Sequence, residues 1–309
     1  MKKCKTLLTV GVLFVLVSYS VKAQEDLLGL LNAQEDSAIN YTIATFKSTR
    51  IVSGHSIETN AEGVLNFTIG HRFGPINSGW RNLYGLDNAT IRLGFDYGLT
   101  DQINIGIGRA SFQKTIDGTF KWKFLRQQTG FKNFPFTATA VGTVYINTSE
   151  WSNPDRDNIS SSRIAYHYSL LLARKFGETV SLQLMPTVVH RNLVPATEDQ
   201  NSIVSVGTGT SIKITNSLRF NAEYFFIPDG QISSDIAGLK VRNSLSLGID
   251  LETGGHVFQL HLTNSRGMTE KYLIGENTGS WGNGDIHFGF NVSRVFTLKK
   301  PKEFRKKTL

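Results

Sequence analysis

Residues 87–109 read DNATIRLGFDYGLTDQINIGIGR, and their alternation decides the fold. Ile91, Leu93, Phe95, Tyr97 and Leu99 share one side, and Arg92, Gly94, Asp96 and Gly98 share the other. After Thr100-Asp101 the pattern resumes, with Ile103, Ile105 and Ile107 against Asn104, Gly106 and Gly108. A period of two with one apolar and one polar face is a half-buried β-strand, and Leu-Thr-Asp is a short turn joining two of them. In a soluble sandwich the polar face would carry Lys, Glu and Thr looking at bulk water. Here it carries glycine, asparagine and charges of both signs, which suits an enclosed interior.

The first residues read as a leader. Lys2, Lys3 and Lys5 precede an apolar run from Leu7 to Val17, and Val21-Lys22-Ala23 has the form of a cleavage site, so 1–23 is expected to be a signal peptide. The apolar run is roughly half the ~20 residues that a spanning helix needs. Cys4, the one cysteine of the chain, lies before that run and would leave with it. An exported chain without disulfides needs another source of stability, and a closed sheet supplies one. No later segment reaches the ~18 consecutive apolar residues of a membrane helix. Glycine is enriched, at 29 of 309 residues against about 7 % expected. Of the formal charge of +8, the leader contributes +4 and the tail from Lys299 to Leu309 contributes +5, leaving −1 for residues 24–298. The basic excess is therefore terminal, and no nucleic-acid partner is indicated.

The same alternation recurs at 62–73, 118–126, 135–146 (weakly), 162–174, 179–190, 202–214, 217–227, 240–251, 255–265 and 285–297. With 88–99 and 101–111 these make about twelve strands, each close to the ~9–11 residues that cross a bilayer at a tilt. Their connections segregate by length. Tight turns fall at Leu99–Asp101, Phe176–Thr179, Thr215–Ser217 and Glu252–Gly255, with a longer one at Gln127–Phe134. Long polar loops fall between them, at Pro75–Leu86, Asn147–Ser161, Asn192–Asn201, Pro228–Leu239 and Ser265–Gly284, and only Gln113–Asp117 is short on that side. Short turns on one side and long loops on the other characterise outer-membrane barrels. The expected fold is an all-β, transmembrane, antiparallel up-and-down β-barrel of about 12 strands, both ends periplasmic. Trp80, Tyr84, Trp122, Trp151, Tyr166 and Trp281 fall near strand ends or loops, where interfacial aromatic girdles sit.

Four regions follow: the leader 1–23, an N-terminal lead-in and plug or lining segment 24–61, the outer-membrane barrel 62–297, and a basic periplasmic tail 298–309. Gln24 to about Asn40 reads as a lead-in or one helical turn. Ile43–Glu58 is apolar-leaning but poorly alternating. It is read as a plug or lining of the lumen, the alternative being an extra hairpin that raises the count to about 14 strands.

Several stretches carry a resemblance beyond this pattern: Thr45-Phe46-Lys47-Ser48, His71-Arg72-Phe73-Gly74, Gly85-Leu86-Asp87, Asp96-Tyr97-Gly98-Leu99-Thr100, Gly106-Ile107-Gly108-Arg109, Asp117-Gly118 and Ser293-Arg294-Val295-Phe296. In these the chain resembles an uncharacterised Gram-negative outer-membrane β-barrel family, a domain of unknown function. The resemblance covers nearly the whole mature chain. It implies the barrel and the outer membrane, and it implies no substrate and no functional residues.

Strand parity turns nine charged residues inward: Arg72, Arg92, Asp96, Lys121, Lys123, Arg219, Glu223, Arg242 and Asp250. Such rows either tune a mildly anion-favouring passage or neutralise one another, for example Arg92 with Asp96 and Arg219 with Glu223, and close the interior. His167 and Ser169 share one face of a strand, a pattern some lipid-modifying barrel enzymes use when His activates a hydroxyl. No third orienting group accompanies them, and polar lumen packing is the plainer reading. Gly106-x-Gly108 and Gly207-x-Gly209 sit inside strand alternation and suit close approach of backbone or plug rather than phosphate. His71-Arg72 reads as a solvated outer rim or as a contact for lipopolysaccharide phosphate. The seven histidines show no metal spacing, so neither a metal nor a cofactor is expected.

The functional expectation is a non-enzymatic barrel that passes or binds a small, mildly anionic solute or supports the envelope structurally. A lipid hydrolase or acyltransferase is the alternative. The expected partners are outer-membrane lipid, lipopolysaccharide, the barrel-assembly machinery and an unidentified small solute. Because Phe296 is internal rather than terminal, that machinery would have to read Gly289 to Phe296 in place.

Overall fold

The computed structural model describes residues 39–151, 154–155, 157–233, 235–236 and 238–300, and it places them in two compact units. The leader, most of the lead-in and the last residues of the tail lie outside the described residues.

The smaller unit includes β1 (Ile39–Tyr41) and the segment around 127–135. Here β1 pairs antiparallel with β6 (Gln128–Gly130), Ile39 opposite Gly130 and Tyr41 opposite Gln128. The connection expected to be a plain turn at Gln127–Phe134 thus carries a short ribbon. The end of the lead-in is extended rather than helical, because β-branched Ile39 and aromatic Tyr41 favour a pleated backbone.

The larger unit is the barrel. Its strands are β2 (Val64–Pro75), β3 (Ala89–Gly98), β4 (Ile103–Ala110), β5 (Thr115–Leu125), β7 (Thr137–Asn147), β8 (Ile164–Phe176), β9 (Val180–Arg191), β10 (Ser202–Lys213), β11 (Leu218–Phe226), β12 (Ser244–Thr253), β13 (His256–Thr263) and β14 (His287–Thr297). Each pairs antiparallel with its neighbours, and β14 returns to β2 with Asn291 opposite Gly70 and Phe296 opposite Leu65, so the sheet closes without an edge. A closed barrel satisfies every ladder hydrogen bond internally, which hydrocarbon demands of any spanning structure. Among the described residues no helix is long and apolar enough to cross a membrane.

The faces are inverted relative to a soluble protein. Ile91, Leu93, Phe95, Ile105, Ile107, Leu182, Leu184 and Leu260 are exposed, whereas Arg72, Asn66, Asp117, Gln183, Glu223 and Gln259 are buried. Aromatic rings stack across strands on the outer surface, Phe67 on Phe95 at 4.8 Å and Phe73 on Phe288 at 5.8 Å. Such cross-strand pairs pin register where the outer face meets lipid rather than a second protein layer.

The starts of β5 and β12 differ most from the expected boundaries: β5 begins at Thr115, so Asp117, expected in the short connection Gln113–Asp117, lies in the strand opposite Gly108. The alternation of 240–251 had placed Arg242 on a lumen-facing position, but the strand begins at Ser244 and Arg242 is exposed in the preceding loop. Its backbone N–H is satisfied by the Asn277 carbonyl instead of a ladder partner. The connection 264–286 also departs from its reading as an outward polar loop. It turns into the barrel, and its short helix α1 (Glu270–Gly275) is buried along its whole length.

Candidate functional site

The interior of the barrel is a site built from two inserts, one entering from each end. From the turn end comes the segment 43–58, folded as a hairpin: Ile51 N–H donates to the Gly54 carbonyl (2.9 Å), Ser56 N–H donates to the Thr49 carbonyl (3.1 Å), and Arg50 pairs with His55 across the two arms. Irregular backbone at this depth must find acceptors and donors from protein, since neither water nor ladder supplies them. The polar lumen row supplies them. The Glu223 carboxylate accepts from the N–H groups of Val52, Ser53 and Gly54 at 3.1, 2.9 and 3.0 Å, so one side chain caps the whole hairpin tip. The Lys121 ammonium does the converse, donating to the carbonyls of Thr49, Ser56 and Glu58 at 3.1, 3.0 and 3.0 Å. Gln183 both accepts from Ile57 N–H (2.8 Å) and donates to the His55 carbonyl (2.7 Å). Gln259 and Asn291 donate to the carbonyls of Ile51 (2.9 Å) and Val52 (2.8 Å).

From the loop end comes 265–277. Arg72 ties the two inserts together, donating to the Ser265 and Gly267 carbonyls (2.9 and 3.0 Å) and to Ser53 Oγ (3.0 Å). At the centre, Glu270 of α1 accepts from His55 N–H (2.9 Å) and from Tyr145 Oη (3.0 Å), and Arg50 Nη1 lies 3.6 Å from its carboxylate. Burial alone would raise the Glu270 carboxyl, but Arg50 and His167 hold it below its ordinary value, so it is ionised. Burial, reinforced by Arg50, keeps His55 well below its ordinary value. The 3.9 Å His55–Glu270 approach therefore joins a neutral ring to a carboxylate. It is a dipolar contact and not an ion pair. Around this centre the interior is apolar: Ile51 and Ile57 of the hairpin and Leu273 and Ile274 of α1 pack with Val141, Leu171, Met185, Val189, Ile203 and Phe225.

The space left among Arg50, Ser53, Arg72, Arg92, Met268 and Asn291 is about 20 Å³. That is room for about one water. At this level the inserts fill the barrel.

Eight of the sequence-derived charged residues line this interior and one does not. Arg72, Lys121 and Glu223 hold the inserts as described. Arg219 reaches toward the carbonyls of Ala44 and Thr45, each at 3.5 Å, and Lys123 lies 3.5 Å from Glu58. Asp250 accepts from Gln259 (2.9 Å), and Asp96 accepts from Thr49 Oγ1 (3.4 Å) and, through its carbonyl, from Asn60 (2.9 Å). Arg92 pairs with Asp117, Nε to Oδ1 at 3.1 Å, rather than with Asp96. Arg242 stands apart on the exposed loop. The expected pairs fail for a geometric reason. Residues four apart on one strand are ~13 Å apart, while Arg92 can lie flat across Gly108 to reach Asp117 on the next strand but one. A Cβ at Gly108 would collide with both side chains. A Cβ at Gly209 would meet Ile51 of the hairpin. Both glycines mark close approach.

Ser169 Oγ pairs with Thr187 Oγ1 (3.0 Å) and the Pro186 carbonyl (3.3 Å), and among the described residues neither ring nitrogen of His167 has a hydrogen-bond partner. His167 instead stacks beside His55, with ring centres 6.3 Å apart. Arg72 lies inside and not on a rim, while His71 stacks outward on Phe290 at 4.9 Å. Asp117, Arg50, His55 and Glu270 are buried interior positions that the sequence reading did not single out. Asp117 has the parity to be found, four residues before Lys121 and six before Lys123, but the sequence reading places it in the connection Gln113–Asp117 and not in the strand. Glu270 had no such signal. Among the described residues no cluster of His, Cys, Asp and Glu is arranged to hold a metal ion.

At the loop end lies an open vestibule of about 470 Å³, which Lys271 of α1 reaches and which Glu150, Trp151, Arg163, Arg191 and Glu276 also line. The Arg163 guanidinium lies 3.7 Å from the Trp151 ring centre. Lys271 Nζ meets Glu276 at 3.1 Å and Gln113 Oε1 at 3.1 Å. Arg191 donates to the Gly275 carbonyl at the end of α1 (3.2 Å), and its Nε has no acceptor among the described residues.

A closed antiparallel barrel with apolar residues outside and a polar, filled interior defines a membrane-bound β-barrel. The chain belongs to the DUF5777 family, described as a membrane-bound beta barrel domain, whose model matches residues 46–296. No curated protein matches it. Among solved structures it is similar to the NanC porin, at 7 % identity and TM-score 0.47, covering 74 % of this chain and 98 % of that one. It is also similar to the Acinetobacter baumannii outer membrane protein Omp33, at 9 % identity and TM-score 0.40, covering 76 % and 99 %. LpxR from Salmonella typhimurium matches at 11 % identity and TM-score 0.38, covering 75 % and 99 %.

Proposed function

We propose that this protein is a non-enzymatic outer-membrane barrel, sealed at rest, that captures a small anionic solute in the vestibule over α1. In this reading the turn end faces the periplasm and the loop end faces outward, as loop lengths in such barrels do. The lumen charges first read as an anion path are consumed in holding the inserts. The vestibule sets Arg163, Arg191 and Lys271 against Glu150 and Glu276, and the observation that carries the proposal is Arg191. Its guanidinium is buried, it lines the vestibule, it lacks one acceptor, and it touches the element that closes the lumen. An oxyanion would complete its hydrogen bonds and draw on charge-assisted pairing. Passage through the barrel would then require both inserts to withdraw, and a solute that binds the end of α1 can bias its part of that step.

Titration of the reconstituted protein with glucuronate, followed by Trp151 fluorescence, tests the proposal. A saturable change, weakened about tenfold in Arg191→Gln and not given by uncharged glucose, is expected. The same response with both sugars, or one indifferent to Arg191, contradicts it. The enzymatic reading is not favoured, since Ser169 Oγ is turned to Thr187 and away from the service of His167.

A further inference from the structure

The outer wall of the barrel carries a second feature, unconnected with the lumen. Across β8–β11 the apolar surface is interrupted by a trough of about 500 Å³. Its floor is made of small residues: Thr208 and Thr210 of β10 with Ala222 of β11, which sits opposite Thr210 in the register. Its walls are long. Leu184 stands opposite Thr208 on one side, with Leu172 beyond it on β8, and Tyr224 stands opposite Thr208 on the other. Shape of this kind, small side chains between rows of large ones, leaves a groove of the size that holds a small ligand. Because this face is the outward one, the groove opens toward acyl chains and not toward water.

One end of the groove is charged. Arg174 stands opposite Leu182 near the turn end of β8, on the lipid side of the strand, and its side chain is exposed. Its guanidinium lies 4.9 Å over the Phe176 ring, and among the described residues no carboxylate pairs with it. A cation on the membrane face is costly at mid-depth and is tolerated where it reaches the headgroup level. Lys175, by contrast, turns inward and pairs with Glu178 at 3.1 Å. A lipid-facing trough with a free guanidinium at its membrane-surface end matches a phospholipid: chain in the trough, phosphate on the arginine.

We infer that the groove over Thr208, Thr210 and Ala222, capped by Arg174, is a binding site for one phospholipid of the leaflet at the turn end. With the orientation proposed above that leaflet is the periplasmic one. The occupant is then a glycerophospholipid and not lipopolysaccharide. The site holds the lipid by fit and charge together, and the rest of the outer wall offers only passing contact.

The test is the lipid that stays with the full chain after refolding into detergent with phosphatidylglycerol and extensive washing, measured by mass spectrometry of the intact complex. The wild-type barrel should keep about one phospholipid. Arg174→Gln and the groove-filling Ala222→Leu should each retain about tenfold less. Arg174→Lys should recover most of the retention. Gly118→Leu adds the same bulk elsewhere on the outer wall, where a side chain meets nothing, and should leave it unchanged. Heat-modifiable migration confirms that each variant is folded. Equal retention in wild type and both groove variants would overturn the inference, as would loss in Gly118→Leu to the same degree. In a parallel refolding with lipopolysaccharide and phosphatidylglycerol together, retention of lipopolysaccharide in preference would contradict the assigned lipid and, with it, the leaflet.

Discussion

Glu223 shows how a single lumen side chain can carry a backbone. Three consecutive N–H groups of the hairpin tip donate to it, and each would be buried without an acceptor if it were removed. Glu223→Ala should therefore lower barrel stability by about 3 kcal/mol, whereas Glu223→Gln, which keeps an acceptor oxygen, should cost roughly half as much. The midpoint of the heat-modifiable gel shift in urea separates the two. Gly108 makes the complementary case, since a methyl there meets Arg92 and Asp117. Gly108→Ala should cost about 1–3 kcal/mol by overpacking. Glu270 sets a pH limit. Its carboxyl is held below the ordinary value of 4.5, against its burial, by Arg50 and His167, with His55 and Tyr145 also facing it. A carboxyl depressed in the folded state adds stability above its unfolded value and loses it as pH falls through the folded one. The inserts should stay seated at neutral pH and loosen below the ordinary carboxylate range, and Glu270→Gln should flatten that acid limb in hydrogen exchange of 43–58.

At the scale of elements, strand parity was legible and insert geometry was not. Alternation in Ile91–Leu99 and Ile103–Ile107 gave two strands to within a few residues, because a lipid-facing row and a lumen-facing row differ chemically at every step. The same rule erred at Arg242, which shares the parity of Ser244 and Ser246, although polar Asn243 already breaks the apolar row where the ladder stops. Arg242→Ala should accordingly change stability by no more than about 0.5 kcal/mol, unlike Arg92→Ala, which strands Asp117. The inward turn of 265–277 could not be read from spacing. Its residues are polar enough for a loop, and their partners (Arg72, Tyr145, Thr115) lie on strands far away in sequence. A weaker signal was available: Leu171, Met185, Val189 and Phe225 break the polar row of the lumen face. Apolar residues on that face need apolar residues inside the barrel, and Ile51, Leu273 and Ile274 meet them.

For the whole molecule, the alternating rows and the segregated connections were enough to give the closed barrel. The candidate site was legible only as a set of inward charges. Which charge served which backbone depended on the path of two segments with no periodicity of their own. The barrel is a wall around a structured interior, with its polar row spent on holding inserts and not on guiding ions. Single-channel recording in planar bilayers addresses that most directly. Wild-type protein should give no steady current, and protein lacking both 43–58 and 265–277 should open frequently. A steady ohmic current through the folded wild-type barrel would contradict the account.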